Sequence, residues 1–465
     1  MGRNRAQQLT AALHALAGIV IAVSLSGCAG LRAGNSGNSG SNGSGNSGGG
    51  SGNPSNVNHI IYIVEENRSF DHYLGQLGAY RKANGFPGTI DGLPAEGSSN
   101  MPTNPRVPDY APVSSFHLKT VCIENLSASW YESHQDFNLF NPSSNTPTMD
   151  GFAWSAGGDA SFEGGNDTSG TRAMGFYDGG DLPYHYFLAS QFATSDRWFS
   201  PAPTETEPNK MYLVAATSAG HAHKPTSPVN VKTIFDLLNS ANVSWKIYYA
   251  GRSTDPIVFY FQPFANNNLS HIVPIAEYFT DLKNGTLPSV AMIEPAFDGS
   301  DDEHPGVGAN LEIGAADTKQ YIDALMQSSA WKDSAFILTF DEAGGLYDHV
   351  PPPTNVPSPD GIPPKDLFMT NPPDPPGDFT RYGFRVPLIV VSPFAKKNYV
   401  SHTVTDSTAI LKFIETRFNL PNLTKRDAAA SDMLEFFDFS NTPWATPPSN
   451  IPEQPTTGPC YDALP

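Results

Sequence analysis

Cysteine and basic charge are both scarce in this 465-residue chain. Three cysteines and no CxxC pair exclude thiolate metal sites. Lys and Arg number 27 against 46 Asp and Glu, a formal charge of −19. That balance lacks the positive footprint needed to bind a phosphate backbone, so nucleic acid is not an expected partner. An anionic bilayer would be repelled as well; if lipid is the substrate, a neutral or zwitterionic headgroup is easier to reach. No internal repeat is present, which argues against a structural array. What the chain does have is 41 Gly and 42 Pro, pointing to a loop-rich α/β protein. Its 39% hydrophobic and 11% aromatic residues can fill a sizeable core, and general disorder is excluded.

Residues 1–28 read as an export signal: Arg3 and Arg5 precede an apolar stretch too short and too early for a membrane span. The stretch ends in Leu25-Ser26-Gly27-Cys28, which resembles the lipobox of bacterial lipoproteins. That pattern predicts cleavage at Cys28 and a lipid anchor there, placing the protein in the cell envelope, on the periplasmic or surface side; an ordinary signal cleavage site is the alternative. Removing the signal would move the formal charge from −19 to about −21. Residues 29–58 form an expected linker, almost wholly Gly, Ser and Asn from Gly34 onward, with a reach of about 25–30 Å. One catalytic-size domain is then expected over 59–465, with Pro351 to Pro376 as a long surface loop. Cys122 and Cys460 could form a disulfide or remain two buried thiols.

Short β-branched runs alternate with helical patterns. The runs are 59–64, 245–249, 289–293, 335–340 and 386–391; Ile234, Leu237 and Leu238, and later Ile410, Phe413, Ile414 and Phe418, fall at helical spacing. Continuous apolar strands separated by helices predict a mostly parallel central sheet with helices on both faces. In such folds ligands bind beyond the carboxyl ends of the strands. Two runs end in acids: the first is followed by Glu65, Glu66 and Asn67, the fourth by Asp341 and Glu342. Oxygen donors of this kind suit a hard divalent cation such as Ca²⁺, Mg²⁺ or Mn²⁺; the alternative is a set of solvated loop acids. Thr206 sits at a plausible helix N-cap ahead of Pro208, where it could serve as a cap or, beside a cation, as a nucleophile. His304 follows Asp301, Asp302 and Glu303, a setting expected to raise its proton affinity. An exposed acidic loop is the alternative there.

Five segments in order carry a resemblance: 65–75 (EENRSFDHYLG), 206–218 (TEPNKMYLVAATS), 302–305 (DEHP), 339–353 (TFDEAGGLYDHVPPP) and 384–394 (FRVPLIVVSPF). They resemble the phosphoesterase family of non-specific phospholipases C and bacterial acid phosphatases. The resemblance implies an alkaline-phosphatase-like fold, one divalent cation on Glu66, Asn67, Asp341 and Glu342, and Thr206 as both nucleophile and ligand. It also implies that His304 acts near the leaving group, that His134 is a second active-site histidine, and that Asn209 and Lys210 contact substrate. Two departures stand out: Lys210 replaces the family's usual Arg, and Ala343 replaces a His.

The expected activity is hydrolysis of phosphate esters, phospholipid headgroups first, through a phospho-threonine. An acid phosphatase acting on monoesters is the nearer alternative. A non-catalytic lipoprotein that captures a cation or phosphorylated ligand is the more distant one.

Overall fold

The central strands of the main sheet are buried on both faces, as their unbroken apolar runs require. The computed structural model describes residues 53–461 except 96, 103–110, 254–255, 297–301 and 307. The expected export signal, Cys28 and most of the expected linker therefore lie outside the described residues. The linker's last residues are described: Val57 is fully buried, and Arg417 donates from Nη2 to Ser55 O at 3.1 Å.

Eight strands make the main sheet: β1 His59–Glu65, β2 Ala193–Ser195, β3 Trp245–Tyr249, β4 Ile272–Pro274, β5 Val290–Glu294, β6 Ser334–Phe340, β7 Leu388–Val391 and β8 Tyr399–Ser401. Their order is β8-β2-β7-β6-β1-β5-β3-β4. The five strands from β6 to β4 run parallel, and β8 pairs parallel with β2; β7 is antiparallel to both neighbours. The sheet is thus mostly parallel, as expected. The five apolar runs all became strands, with ends shifted by two residues at most. The short β2, β4 and β8 escaped sequence reading because three residues carry no periodicity. The predicted helical positions fall in Ile234–Ser240 and Ala409–Phe418. The first opens on a Thr233–Asp236 capping box. Among the described residues no helix is long and apolar enough to cross a membrane.

Register decides which polar residues meet. Glu65 pairs with Phe340 in the β1–β6 ladder, so Glu66 and Asp341 leave neighbouring parallel strands side by side. Asp341 N donates to Glu65 O at 3.0 Å, continuing the ladder one step further. Strand alternation sends Glu65 the other way: its carboxylate accepts from Thr318 Oγ1 at 2.9 Å, on the helix Leu311–Gln327.

Cys122 and Cys460 are disulfide-bonded across 338 residues, with Cα atoms 5.0 Å apart. The bond ties the C-terminal tail to a segment that also donates to it, from Val121 N to Pro459 O at 2.8 Å. Replacing both cysteines by Ser is expected to cost about 2–5 kcal/mol. Urea unfolding of the two forms measures it, and equal midpoints would contradict a closed bond.

Candidate active site

The helix Thr206–Ala215 begins with Glu205 at its N-cap, so Thr206 is the first helical residue rather than the predicted cap. Its hydroxyl is therefore free of capping duty. Thr206 Oγ1 instead lies 3.2 Å from Asn67 Oδ1 and 3.3 Å from Glu66 Oε2, as donor to both. Helix amides and the helix dipole face the same point, favouring an anion there.

Asn67 follows β1 with φ at 59°, a left-handed conformation that Asn adopts more readily than most residues. The turn lets its backbone N–H donate to Asp341 Oδ1 at 3.0 Å. Asp341 Oδ1 also accepts from Glu342 N at 2.7 Å, and Glu342 accepts from Gly344 N. Gly344 has φ of 67°, and a Cβ there would meet Asn67 O at 2.3 Å; the two loops approach this closely because the position is glycine. Glu66, Asn67, Thr206, Asp341 and Glu342 thus form one connected cluster. The alternative of solvated loop acids fails, since all five residues are buried.

Asp341 and Glu342 have carboxyls pushed well above the usual range by burial, then by like charge, Glu66 acting on Asp341 and Asp341 on Glu342. Lys210 Nζ contacts Glu66 Oε1, supplying one compensating cation. Asp341 Oδ2 is buried with no hydrogen-bond partner. An all-oxygen set with an orphaned carboxylate oxygen fits a hard divalent cation. Lys210, predicted to contact substrate, is therefore tied first to a carboxylate of the cluster.

His304 reaches the cluster through Asn67, whose Nδ2 is 2.8 Å from His304 Nε2. Its Nδ1 faces the carbonyl of Pro305, which can accept and not donate. Nδ1 therefore carries the ring proton, Nε2 accepts from the Asn67 amide, and Asn67 Oδ1 is turned toward Thr206. The expected rise in proton affinity is corrected: burial holds His304 below its usual value, outweighing Glu66. Nor are Asp302 and Glu303 exposed. Asp302 Oδ1 accepts from His304 N at 3.0 Å, and Asp302 O from Glu66 N at 3.0 Å. Glu303 turns inward to within 3.3 Å of His185 Nε2, while its carbonyl accepts from Arg68 Nε at 2.7 Å.

Two predicted residues take other roles. Asn209 is fully buried: its Oδ1 accepts from Ala202 N at 2.9 Å and its Nδ2 donates to Thr204 O at 2.6 Å. It fastens the loop ahead of Thr206 and has no exposed surface for substrate. His134 lines a different cavity, its ring tilted against that of Trp130 and its Nδ1 2.6 Å from Trp130 O. Burial and Arg381 depress it to about 3, leaving it neutral. It is not among the residues around the Thr206 cavity.

A clamp that sequence reading missed joins three of the quoted segments. Arg385 Nη2 donates to Asp71 Oδ1 at 2.9 Å and Arg385 Nε to Asp348 Oδ1 at 2.8 Å, while His349 Nδ1 lies 2.6 Å from Asp71 Oδ2. Asp71, the Asp348–His349 pair and Arg385 are far apart in sequence, so no local pattern could have found the network.

A second clamp sits beside the Thr206–Ala215 helix. His223 Nε2 lies 2.8 Å from Asp374 Oδ2 in the Pro-rich loop, and His223 Nδ1 lies 3.7 Å from Glu205. Burial by itself would lower the imidazole; the hydrogen bonds to Asp374 and Glu205 lift it to about 9. A folded value above the unfolded one, about 6.5, stabilises fully below pH 6.5 and is lost as pH rises through about 9. Thermal melts from pH 6 to 10 are expected to show this loss in the parent protein and less of it in His223→Gln. Parallel declines in both would exclude the clamp.

Two cavities open on Thr206. One, of about 580 Å³, is lined also by Asn67, His304 and Glu342. The other, of about 310 Å³, lies past Lys210. Cation-suited carboxylates and a hydroxyl at a helix N-terminus, with two cavities at the carboxyl edge of a parallel sheet, suit the hydrolysis of an anionic ester.

Comparison with known proteins agrees. The phosphoesterase family model matches residues 57–421, and the chain belongs to that family. Non-specific phospholipase C1 of Arabidopsis thaliana is 32% identical over 418 residues, spanning 85% of this chain and 73% of that one. Phospholipase C B of Mycobacterium tuberculosis is 30% identical over 433 residues, spanning 84% and 79%. Among solved structures, a protein in the alkaline phosphatase superfamily from Vibrio parahaemolyticus aligns over 77% of this chain and 78% of that one, at 12% identity and a TM-score of 0.36. The chain is an enzyme, a phosphoric ester hydrolase, and the non-catalytic reading falls.

Proposed function

We propose that this enzyme is a phospholipase C acting on phospholipid headgroups, with Thr206 as nucleophile. The observation that carries the reading is Thr206 Oγ1 at a helix N-terminus, in contact with Glu66 and Asn67 and open to two cavities. A hard divalent ion held by Glu66, Asn67, Asp341 and Glu342 would supply positive charge beside that oxygen, favouring its deprotonated form and a phosphoryl oxygen. Thr206 Oγ1 forms the bond to phosphorus as the bond from phosphorus to the acylglycerol oxygen breaks. The proton given up by Thr206 ends on the departing alcohol, with His304 as relay, its Nε2 giving up the hydrogen bond from the Asn67 amide to take it. Water then cleaves the phospho-threonine, releasing the phosphorylated headgroup and returning the proton to Thr206.

The similarity to phospholipases C supports lipid over monoester. Turnover of phosphatidylcholine to diacylglycerol, faster than that of p-nitrophenyl phosphate, is the expected result; turnover of the monoester with none of the lipid would reject it. Export is supported by the Cys122–Cys460 disulfide, which suits an oxidising compartment. Anchoring is proposed on the pattern ending at Cys28, and Cys28→Ser is expected to release the protein from the membrane fraction.

A further inference from the structure

Three large apolar side chains stand in water beside the larger Thr206 cavity. Asp159, Ala160 and Glu163 on the cavity wall come from the helix Phe152–Glu163, and Phe162 in its last turn is 87% exposed. Met369 and Phe368, in the Pro-rich loop, are 84% and 55% exposed. The Phe368 ring stacks on His223 with centroids 4.0 Å apart, and His223 Nδ1 lies 3.7 Å from Glu205. Glu205 lines the same cavity and is the N-cap residue of the Thr206 helix. Bonds on both sides of the loop pair hold it outward. Asp366 accepts from Ala222 N and lies 2.8 Å from His221 Nδ1, while Asp374 Oδ2 accepts from Phe368 N at 2.6 Å. Leu367 meanwhile packs inward against Trp130, Tyr212 and Phe379. Single exposed apolar residues are ordinary, but a fastened pair and a third beside one cavity mark a surface that is covered in use. The cavity wall itself is acidic, with Glu124, Asp159, Glu163 and Glu205; its Arg172 is already matched by Asp159 and Asp167 at 3.5 and 3.4 Å. Apolar side chains beside acids suit the headgroup region of a zwitterionic bilayer and oppose an anionic one.

We propose that Phe162, Phe368 and Met369 form a docking face that seats the Thr206 cavity on the surface of a zwitterionic phospholipid bilayer. The assignment rests on the phospholipase C reading, since the lipid cleaved at Thr206 lies in such a surface, and adds the means of reaching it.

The test measures kcat/KM on phosphatidylcholine vesicles and on dihexanoylphosphatidylcholine below its micelle concentration, where no surface exists. All forms carry Cys28→Ser, so that no lipid anchor holds them to a vesicle. Phe162→Ser and Met369→Ser replace side chains already in water and are expected to fold even if Phe368→Ser does not. Each is expected to lose about tenfold on vesicles while staying within about twofold of the parent on the monomeric lipid. Leu269→Ser, at a 55% exposed position just ahead of β4 and so at the amino edge of the sheet, is expected to match the parent on both. Phosphatidylglycerol added to the vesicles is expected to slow the parent, and faster turnover there overturns the zwitterionic choice. Vesicle rates unmoved in Phe162→Ser and Met369→Ser, or a loss equal on both forms of lipid, overturn the docking face and leave the phospholipase C reading standing. So does a parent that self-associates through these residues, with the Ser variants monomeric and equally fast on vesicles. A parent that cleaves p-nitrophenyl phosphate and neither form of lipid overturns both.

Discussion

Thr206→Ala is expected to remove turnover, by at least about a thousandfold, while leaving the protein folded. The expectation of an intact fold comes from what the hydroxyl does in the structure. It donates to Glu66 and Asn67 and caps no helix, so its loss forfeits about 1 kcal/mol of hydrogen bonding and no backbone partner. The expectation of lost chemistry comes from position: no other hydroxyl is described in contact with the Glu66–Asn67 pair. Circular dichroism and thermal melting establish the fold, and turnover of phosphatidylcholine reads the chemistry. A folded Thr206→Ala protein with parental rates would reject the nucleophile.

Removing the divalent ion is expected to have an effect of similar size, and the structure adds a stability signature to it. In the ion-free cluster Asp341 and Glu342 are buried beside Glu66, and Asp341 Oδ2 has no partner. Buried like charges without compensation are destabilising, so a chelated protein should melt lower than one with the ion restored. Ligand at a hundredfold over its dissociation constant adds about 2.7 kcal/mol. Asp341→Asn keeps an oxygen for the amides of Asn67 and Glu342 while removing one charge. That variant is expected to be inactive, to melt above the chelated parent, and to show little further gain from added Ca²⁺, Mg²⁺ or Mn²⁺. A parent protein whose activity and melting point both ignore chelation would mean that the carboxylates serve another purpose.

The candidate site was legible in part because its donors occur at strand ends. Glu66 and Asn67 follow one apolar run and Asp341 and Glu342 another, and such runs report buried parallel strands whatever their neighbours. Their meeting was not legible. It depends on β1 and β6 being adjacent with Glu65 opposite Phe340, a long-range pairing that no local pattern encodes. The same holds for His304: its acidic neighbours pointed to a raised proton affinity, but burial is a tertiary property and reversed the sign. Asn209 and His134 were misplaced because an Asn near a helix start and a His in an aromatic stretch look alike whether they face substrate or the interior.

By itself, then, the chain's order of apolar runs and turns determined a mostly parallel sheet with acids at its carboxyl edge, since periodicity and burial preference act over a few residues. Tertiary structure decided which acids meet, freed Thr206 from capping, turned Glu65 away and lowered the proton affinity of His304. Those outcomes follow from register, desolvation and contacts between segments hundreds of residues apart, none of which is set until the sheet has closed.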